Sequence, residues 1–376
     1  MSAEVLHGGQ VHQASLKRGK ALDKILDFSA SINPLGLSLA VRRAIHGAVP
    51  SLVHYPDIEA TVLRQTIAET YRISEDMILV GNGSAELISV LPRALGSQHG
   101  VIVGPTFMEF ERALIVAGAS CSYVHARRAT QYRPPIDAAC RQLSKARKRP
   151  SQHKTSRSGS LSPPVDMVYL CNPNSPTGQH CSRRQILQLL GMTEKANIYL
   201  VVDEAFIEFC ARGSVLNEVK KYQRLIVLRS LTKFYAMPGI RVGFLAGSPG
   251  IVQRLAEYLP LWSVNTVAQV AARAALVDET FRVRSREFMK RERKRFSQRL
   301  THLPNVRVYP SVANFVMVEL SSYEQVRVIK AGLLERGILI RDCQNFSGIK
   351  APTIRLAVRK PRDNDRLIKA LHSLLI

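Results

Sequence analysis

Short apolar runs alternate with longer stretches of helical periodicity through roughly the first 250 residues of the chain. The runs are rich in Val, Ile and Leu, a composition that is typical of buried strands. They occupy residues 77–80, 101–103, 167–170, 198–202 and 225–228. Alternation of such strands with helices predicts an α/β fold whose central sheet is mostly parallel and is flanked by helices on both faces.

The pattern changes after about residue 260. A long helical stretch over 265–300 comes first. Short strands and two further helices follow, with strands near 306, 314, 338 and 353 and helices over 323–336 and 362–375. The change of pattern predicts a second, smaller α/β domain at the C-terminus.

Composition agrees with a two-domain protein, because 376 residues with 46% hydrophobic content can bury a substantial core. No apolar run approaches the length of a membrane-spanning helix, and the first residues lack the pattern of a secretion signal, so we expect a cytoplasmic protein without membrane contact. The six cysteines form no Cys-x-x-Cys pair and show no regular spacing. Neither a metal site nor a disulfide framework is therefore expected.

The net charge of +24 invites a nucleic-acid or membrane-surface interpretation, but its distribution argues against one. Residues 141–164 contain seven Lys or Arg and no acid, and their Ser- and Pro-rich composition predicts a flexible basic insert over 145–164. Residues 282–299 contain nine basic and two acidic residues at helical spacing, which favours a solvated helix face. Apart from Phe288 and Phe296, at positions that suit the apolar side of the helix, no aromatic residues interleave with either cluster as stacking platforms would require, so no nucleic-acid partner is expected.

Candidate chemistry is concentrated in residues 230–241, which follow the apolar run 225–228. Lys233 lies at the mouth of this predicted strand, and its amine can form a Schiff base with an aldehyde cofactor. Ser230 and Arg241 would supply a hydroxyl and a guanidinium for a phosphate group. On this segment alone, a surface lysine after a strand is an equally good interpretation.

Two further polar segments follow predicted strands. Residues 171–178, Cys-Asn-Pro-Asn-Ser-Pro-Thr-Gly, follow the predicted strand at 167–170, and Asp203 follows the predicted strand at 198–202. In an open parallel sheet, ligands bind at the carboxyl ends of the strands. Asp203 could there pair with a protonated pyridine nitrogen and keep the ring electron-poor. The alternatives are a helix cap for Asp203 and ordinary turns for the prolines.

Taken together, these motifs resemble those of fold-type I pyridoxal phosphate enzymes, the aspartate aminotransferase superfamily, from about residue 27 to near the C-terminus. His-Gly-Gly-Gln at 7–10, the stretch 27–36 with Ser-Ile-Asn-Pro-Leu-Gly, and Pro-Leu-Trp-Ser-Val-Asn at 260–265 look like the threonine-phosphate decarboxylases of cobalamin biosynthesis. Histidinol-phosphate aminotransferases are the main alternative. The resemblance implies an N-terminal arm over 1–50, a large cofactor domain over 51–260 and a small domain over 261–376.

The resemblance also implies positions for the cofactor, pyridoxal 5'-phosphate. Its phosphate would lie on Gly83, Ser84 and Ala85, where a strand runs into a glycine-containing turn and a helix start. Phe107 would stack on the ring, although an aromatic residue after a strand is otherwise most often part of the core. Ser175 stands where the superfamily usually has an asparagine that donates to the ring oxygen.

Tyr55 matches a tyrosine that reaches the cofactor phosphate of a neighbouring subunit, which implies a homodimer. A turn aromatic braced by Pro56 is the alternative interpretation of this position.

Two arginines indicate that the substrate carries anionic groups. Arg341 and Arg355 lie in short apolar segments, where an unpaired guanidinium is costly, so each requires an anion. By resemblance, Arg355 binds the carboxylate of a phosphorylated amino acid, and Arg341 with His7 and the backbone of Gly8 binds its phosphate. Pairing with an internal acid such as Asp342 or Asp363 is the alternative.

Two substitutions relative to the resembled families bear on the reaction. Ser31 stands where the decarboxylases commonly have an asparagine near the substrate. Phe206 stands where many aminotransferases have a tyrosine that binds the ring oxygen, and the decarboxylases also tend to carry Phe. The resemblance thus favours decarboxylation of L-threonine O-3-phosphate over transamination of histidinol phosphate. A basic partner-binding or nucleic-acid-binding protein on an enzyme fold remains the third possibility.

Overall fold

The computed structural model describes residues 8–19, 21–147, 163–210 and 212–376. The strands, in chain order, are β1 (Leu26–Asp27), β2 (Ile78–Gly81), β3 (His99–Gly104), β4 (Ser120–His125), β5 (Met167–Cys171), β6 (Tyr199–Asp203), β7 (Leu225–Ser230), β8 (Gly243–Ala246), β9 (Arg307–Val308), β10 (Phe315–Glu319), β11 (Ile338–Leu339), β12 (Arg341–Asp342) and β13 (Thr353–Ala357).

The helices, in chain order, are α1 (Val11–Arg18), α2 (Leu39–Ala48), α3 (Thr61–Tyr71), α4 (Ser84–Leu95), α5 (Glu109–Val116), α6 (Ile136–Arg147), α7 (Arg183–Lys195), α8 (Leu231–Phe234), α9 (Pro249–Ala256), α10 (Thr266–Val277), α11 (Glu279–Thr301), α12 (Tyr323–Glu335) and α13 (Pro361–Leu375). Short 3-10 helices cover Leu22–Lys24, Val49–Val53, Glu75–Met77, Arg128–Thr130, Ile207–Phe209 and Leu216–Lys220.

A seven-stranded sheet with the order β2-β8-β7-β6-β5-β3-β4 forms the centre of the molecule. The pairs from β7 across to β4 are parallel, whereas β8 runs antiparallel to both of its neighbours, β2 and β7. The predicted α/β class with a mostly parallel sheet is therefore confirmed. The single reversed strand follows from the short connection through α8, which lets β8 return beside β7 without a crossover helix.

Alternate residues of the central strands pack on opposite faces of this sheet. In β3, Val101 and Val103 are fully buried in one apolar cluster, while Ile102 between them is fully buried in another. A strand that is buried on both faces must be apolar at every position, which explains the continuous Val and Ile runs of the sequence.

The C-terminal part contains a four-stranded antiparallel sheet with the order β12-β13-β10-β9. A separate parallel pair joins β1 to β11, so the N-terminal region contacts the C-terminal region through Leu26 opposite Ile338 and Asp27 opposite Leu339. The division of the chain at residues 50 and 260 stays a prediction.

The helical stretch predicted over 265–300 is two helices rather than one. The break falls at Asp278, whose side chain accepts from the backbone N–H of Phe281 and so caps the start of α11. In α11, the buried residues Phe281, Met289 and Phe296 lie on one face. Several basic residues lie on the exposed side of this helix, namely Arg284, Lys290, Arg291 and Lys294.

Helix α6 continues to Arg147, one turn further than the end near residue 143 that the sequence suggested. Most of the predicted basic insert, residues 148–162, lies outside the described residues. Within the described ranges, no helix is long and apolar enough to cross a membrane. The same residues contain no group of three or more His, Cys, Asp or Glu that could bind a metal ion.

Candidate active site

A cavity of about 670 Å³ opens at the carboxyl ends of β5, β6 and β7, where they face β12 and β13 of the smaller sheet. This edge is where ligands of open α/β sheets bind. Ten of the predicted site residues line the cavity: Gly8, Ser31, Ser84, Phe107, Ser175, Asp203, Lys233, Arg241, Arg341 and Arg355. Gly83 and Ala85 flank Ser84 in the chain, and Ser230 accepts a hydrogen bond from Lys233. His7 lies outside the described residues.

Lys233 belongs to α8, the single helical turn that follows β7. Its Nζ donates to Ser230 Oγ at 3.2 Å, and Ser230 Oγ lies 2.8 Å from Thr232 Oγ1. Burial lowers the pKa of Lys233 to about 8, an effect that Asp203 opposes and Arg241 reinforces. A substantial fraction of this amine is therefore unprotonated near pH 8, and the unprotonated amine is the form that attacks an aldehyde.

Asp203 is the last residue of β6 and is only 4% exposed. Its Oδ1 accepts from the backbone N–H of Ala205 at 2.9 Å. Burial raises the pKa of Asp203 to about 6, and the hydrogen bond from Ala205 and the charge of Lys233 limit the rise. The carboxylate is thus ionised at neutral pH, and a buried anion of this kind favours a protonated ring nitrogen beside it.

The turn between β2 and α4 lies against Arg241. Gly83 has a φ of +80°, and a Cβ built on it would lie 2.6 Å from Arg241 Nη2, so a side chain at this position would displace the guanidinium. The neighbouring Ser84 begins α4, whose first-turn N–H groups have no partner within the helix. A guanidinium beside a helix N-terminus is a site that favours phosphate.

Two arginines line the cavity from the smaller sheet, Arg341 in β12 and Arg355 in β13. Arg355, 8% exposed, donates to Ser175 Oγ and to the backbone oxygen of Ser29, each at 2.8 Å, while its Nε has no hydrogen-bond partner among the residues that the structure describes. Arg341, 7% exposed, donates to Asn345 Oδ1 at 2.9 Å. Burial lowers the pKa of both guanidinium groups, that of Arg355 to about 10.

Within the described residues, neither of these arginines forms an ion pair with a carboxylate. Asp342, one of the internal acids considered from the sequence, instead lies 3.9 Å from Lys330 and accepts from the backbone N–H of Gln344. The two guanidinium groups therefore face the cavity as buried cations that an anionic ligand would neutralise.

The aminotransferase class I and II family matches the sequence over residues 23–371. This chain belongs to that family. The threonine-phosphate decarboxylase of Salmonella typhimurium is 34% identical to this aminotransferase-family protein over 371 residues, which cover 98% of this chain and 96% of that protein.

Two solved structures show the same fold. The histidinol-phosphate aminotransferase of Clostridium acetobutylicum has a TM-score of 0.82 at 28% identity and covers 93% of this chain and 99% of its own. The histidinol-phosphate aminotransferase of Sinorhizobium meliloti, solved in complex with pyridoxal-5'-phosphate, has a TM-score of 0.83 at 20% identity and covers 97% and 94% of the two chains. This chain is a pyridoxal-phosphate-dependent enzyme.

The residues of the cavity fit this cofactor. A phosphate fits the space that Gly83 leaves beside Arg241. Phe107 lines the cavity and packs edge-on against Phe110 with the ring centroids 6.0 Å apart, so its ring is fixed in direction. Asp203 and Lys233 line the same cavity. The cavity thus offers an amine for the aldehyde of the cofactor, a carboxylate for its ring nitrogen and a guanidinium for its phosphate.

Two serines replace residues that are longer in the resembled families. Ser175 Oγ accepts from Arg355, which leaves its O–H hydrogen able to donate to another acceptor. Ser31 is 5% exposed, and its Oγ has no hydrogen-bond partner among the described residues. An unpaired hydroxyl on the wall of a cavity is a further sign that a polar ligand belongs there.

Tyr55 does not line the cavity of its own chain. Its side chain is 79% exposed and its ring stacks on Trp262 with the centroids 4.6 Å apart. The role of Tyr55 at a neighbouring subunit stays a prediction.

A buried ion-pair network behind the site was missed from the sequence. Arg229 contacts Glu204 Oε2 at 2.9 Å, Glu208 Oε1 at 2.8 Å and Ser214 Oγ at 3.0 Å, and Arg286 of α11 also pairs with Glu208. Although burial alone would raise it, the two arginines lower the pKa of Glu208 below its ordinary value.

This network joins the ends of β6 and β7, because Glu204 follows Asp203 and Arg229 precedes Ser230. The network therefore helps to hold Asp203 and Ser230 in position, although Glu204 and Arg229 do not line the cavity. The available signal was Arg229 directly after the apolar run 225–228, since an arginine in a buried strand requires an acid nearby.

The depressed pKa of Lys233 predicts how cofactor capture depends on pH. Only the neutral amine reacts, so with a pKa of about 8 the rate at which the apoprotein captures pyridoxal phosphate should rise about tenfold from pH 7 to pH 9 and then level off. Stopped-flow absorbance of the bound cofactor measures this rate. A rate that continues to rise towards pH 10.5 would instead indicate a lysine with its ordinary pKa.

Proposed function

We propose that this protein is a carboxy-lyase that converts L-threonine O-3-phosphate to (R)-1-amino-2-propanol O-2-phosphate. The observation that carries the proposal is the pairing of Arg341 with Arg355, which lie directly opposite each other in the register of β12 and β13. Like charges at opposite positions of neighbouring strands destabilise a sheet. A substrate that carries two anionic groups would offset this repulsion, and threonine phosphate carries a carboxylate and a phosphate.

The two arginines would determine which bond reacts. Arg355 would bind the carboxylate, and its contacts with Ser175 and Ser29 limit its freedom to follow the substrate. Arg341 would bind the phosphate. Fixing both ends would set the rotation of the substrate about its alpha carbon, and this rotation determines whether the carboxylate or the hydrogen is lost.

Pyridoxal phosphate, when bound, supplies an electron sink for the bond that breaks at the alpha carbon. Asp203 would hold the proton on the ring nitrogen, for which its ionised carboxylate at neutral pH is suited. Lys233 Nζ would deliver the proton that replaces carbon dioxide, since an amine with a pKa of about 8 both gains and loses a proton readily near neutrality. Phe206 lines the cavity with no hydroxyl to compete for these protons.

Transamination of histidinol phosphate is the second candidate, and the similarity to the Clostridium acetobutylicum enzyme supports it. Histidinol phosphate has a phosphate but no carboxylate, so it would leave one of the two opposed arginines without an anion. Compared with histidinol phosphate alone, this difference in charge favours threonine phosphate, although the amino acceptor 2-oxoglutarate carries two carboxylates and would also pair with both arginines.

The experiment that separates the two reactions needs only purified holoenzyme. Incubation with threonine phosphate should release carbon dioxide stoichiometrically with no keto acid present, because decarboxylation returns the cofactor to its starting form. Histidinol phosphate with 2-oxoglutarate serves as the matched reaction. Turnover in the second mixture alone would establish the aminotransferase and exclude the proposed lyase.

A homodimer accompanies this proposal. Exposed apolar side chains are concentrated in α2, the 3-10 helix after it and the segment around Trp262: Leu39, Val49, Leu52, Val53, Tyr55, Ile58, Tyr258, Leu261 and Trp262. A second copy that covers these residues would bring its Tyr55 towards a neighbouring cavity. Light scattering of the purified protein tests the state of association.

A further inference from the structure

The guanidinium group of Arg341 is oriented by the loop that follows it. This loop, residues 343–349, leaves the end of β12 and is called the 343–349 loop below. Asn345 Oδ1 accepts from Arg341 Nη2 at 2.9 Å, and the guanidinium carbon lies 5.0 Å from the centre of the Phe346 ring. One edge and one face of the guanidinium are therefore fixed by two consecutive residues of the loop.

Asn345 acts from outside the active-site cavity. A second cavity of about 370 Å³ lies beside the first, and both are lined by Arg341, Gly8 and Ser29. Asn345 lines this second cavity together with Asp342 and Gln344. A ligand in the active-site cavity thus meets the guanidinium of Arg341, while Asn345 contacts the same guanidinium from the adjoining side.

The 343–349 loop is attached to the large sheet. Asn345 Nδ2 lies 3.4 Å from Met108 Sδ, at the start of α5, and Ser347 Oγ lies 3.4 Å from His125 Nε2, at the end of β4. Gly348 has a φ of +91°, and a Cβ there would overlap the ring of His125. The position of Asn345, and with it the direction of Arg341, is therefore determined by contacts with a different sheet.

The neutral charge of Asn345 matters as much as its position. An asparagine oxygen orients a guanidinium through one hydrogen bond and leaves its positive charge available to a ligand. An aspartate in the same place would form an internal ion pair with Arg341 and compete with a bound anion. The nearest acid in the chain, Asp342, lies 3.9 Å from Lys330 and forms no ion pair with Arg341.

We propose that Asn345 is a positioning residue that makes the site selective for phosphorylated substrates, by holding the Arg341 guanidinium in the direction of the substrate phosphate without neutralising it. The inference rests on the proposed function, which assigns the phosphate to Arg341. Pre-orientation of a long, flexible side chain strengthens binding because less freedom is lost when the ligand arrives.

The test compares Asn345→Leu, Asn345→Asp and the control Gln344→Leu, which makes the same chemical change at the exposed neighbouring residue. Binding of O-phospho-L-threonine and of L-threonine to each holoenzyme is read from the absorbance of the cofactor, and KM and kcat are measured separately. For Asn345→Leu, we expect affinity for the phosphorylated ligand to fall roughly tenfold, as for loss of a hydrogen bond to a charged group, with threonine binding and kcat little changed.

For Asn345→Asp, which preserves the shape of the side chain, we expect a larger loss that is confined to the phosphorylated ligand. Equal losses for both ligands in the Asn345 variants, or no loss, would overturn the inference. Failure of the proposed function is distinguishable: a wild-type protein that prefers the phosphorylated ligand but releases no carbon dioxide contradicts the reaction, while the effect of Asn345 on binding remains measurable.

Discussion

Lys233→Ala is expected to lower turnover by roughly 10²- to 10⁴-fold or more, while the protein still binds pyridoxal phosphate without a covalent link. Lys233 is the amine that lines the cavity beside Asp203, and its Nζ is 3.2 Å from the Ser230 hydroxyl. Removing it takes away the group that would both attach the cofactor and move the proton. Gly83 and Arg241, which we assign to the cofactor phosphate, are unchanged, so cofactor binding should survive.

The absorbance spectrum and its response to borohydride distinguish covalent from noncovalent cofactor. Wild-type protein should retain the reduced cofactor after denaturation, and the variant should release it. Lys221→Ala, at an exposed lysine, is the matched control and should behave as wild type. Substantial turnover in Lys233→Ala would show that another group performs the chemistry.

Arg341→Ala is expected to weaken O-phospho-L-threonine by about 2 to 5 kcal/mol, a range typical of truncating one member of a buried charge pair. L-Threonine, which has no phosphate, should lose far less. Arg355→Ala should weaken both ligands to a similar extent, because both carry the carboxylate. The contrast between the two variants isolates the phosphate, since Arg341 and Arg355 are equally buried on neighbouring strands.

Titration of the cofactor absorbance with each ligand gives the dissociation constants directly. Competition by inorganic phosphate provides a second measurement, because it should disappear in Arg341→Ala and persist in Arg355→Ala. Equal losses for threonine and threonine phosphate in Arg341→Ala would remove Arg341 from the phosphate site.

The cavity could be predicted from the sequence because it depends on chain order. Lys233 and Asp203 follow apolar runs, and the carboxyl ends of parallel strands meet at one edge of a sheet. The presence of Arg341 and Arg355 beside a ligand cavity could be predicted, because a buried arginine within an apolar segment is costly unless an anion neutralises it. Their exact opposition across β12 and β13 could not, because the register of two short strands leaves no periodic signal.

Three features could not be predicted from the sequence: the contact of Asn345 with Arg341, the partners of Arg229 and the helix break at Asp278. The contact of Asn345 with Arg341 depends on an irregular loop whose sequence has no hydrophobic period. The partners of Arg229 are distant in the chain or in 3-10 turns, so the sequence indicated that an acid was needed without indicating which. The break at Asp278 was hidden because the apolar positions continue with helical spacing on both sides of it.

The reversed strand β8 has a consequence for synthesis on the ribosome. It separates β2 from β7, so Ile78–Gly81 has no strand partner until Gly243–Ala246 has been made. Pairing of β8 also brings together the residues that we assign to the cofactor phosphate. A Cβ on Gly243 would lie 2.8 Å from the Ser84 backbone nitrogen, and Arg241 lies two residues before β8 in the chain. A nascent chain that ends before β8 therefore has an unpaired sheet edge and lacks a complete cofactor site. Pyridoxal phosphate can stabilise the protein by binding only after most of the chain has been translated.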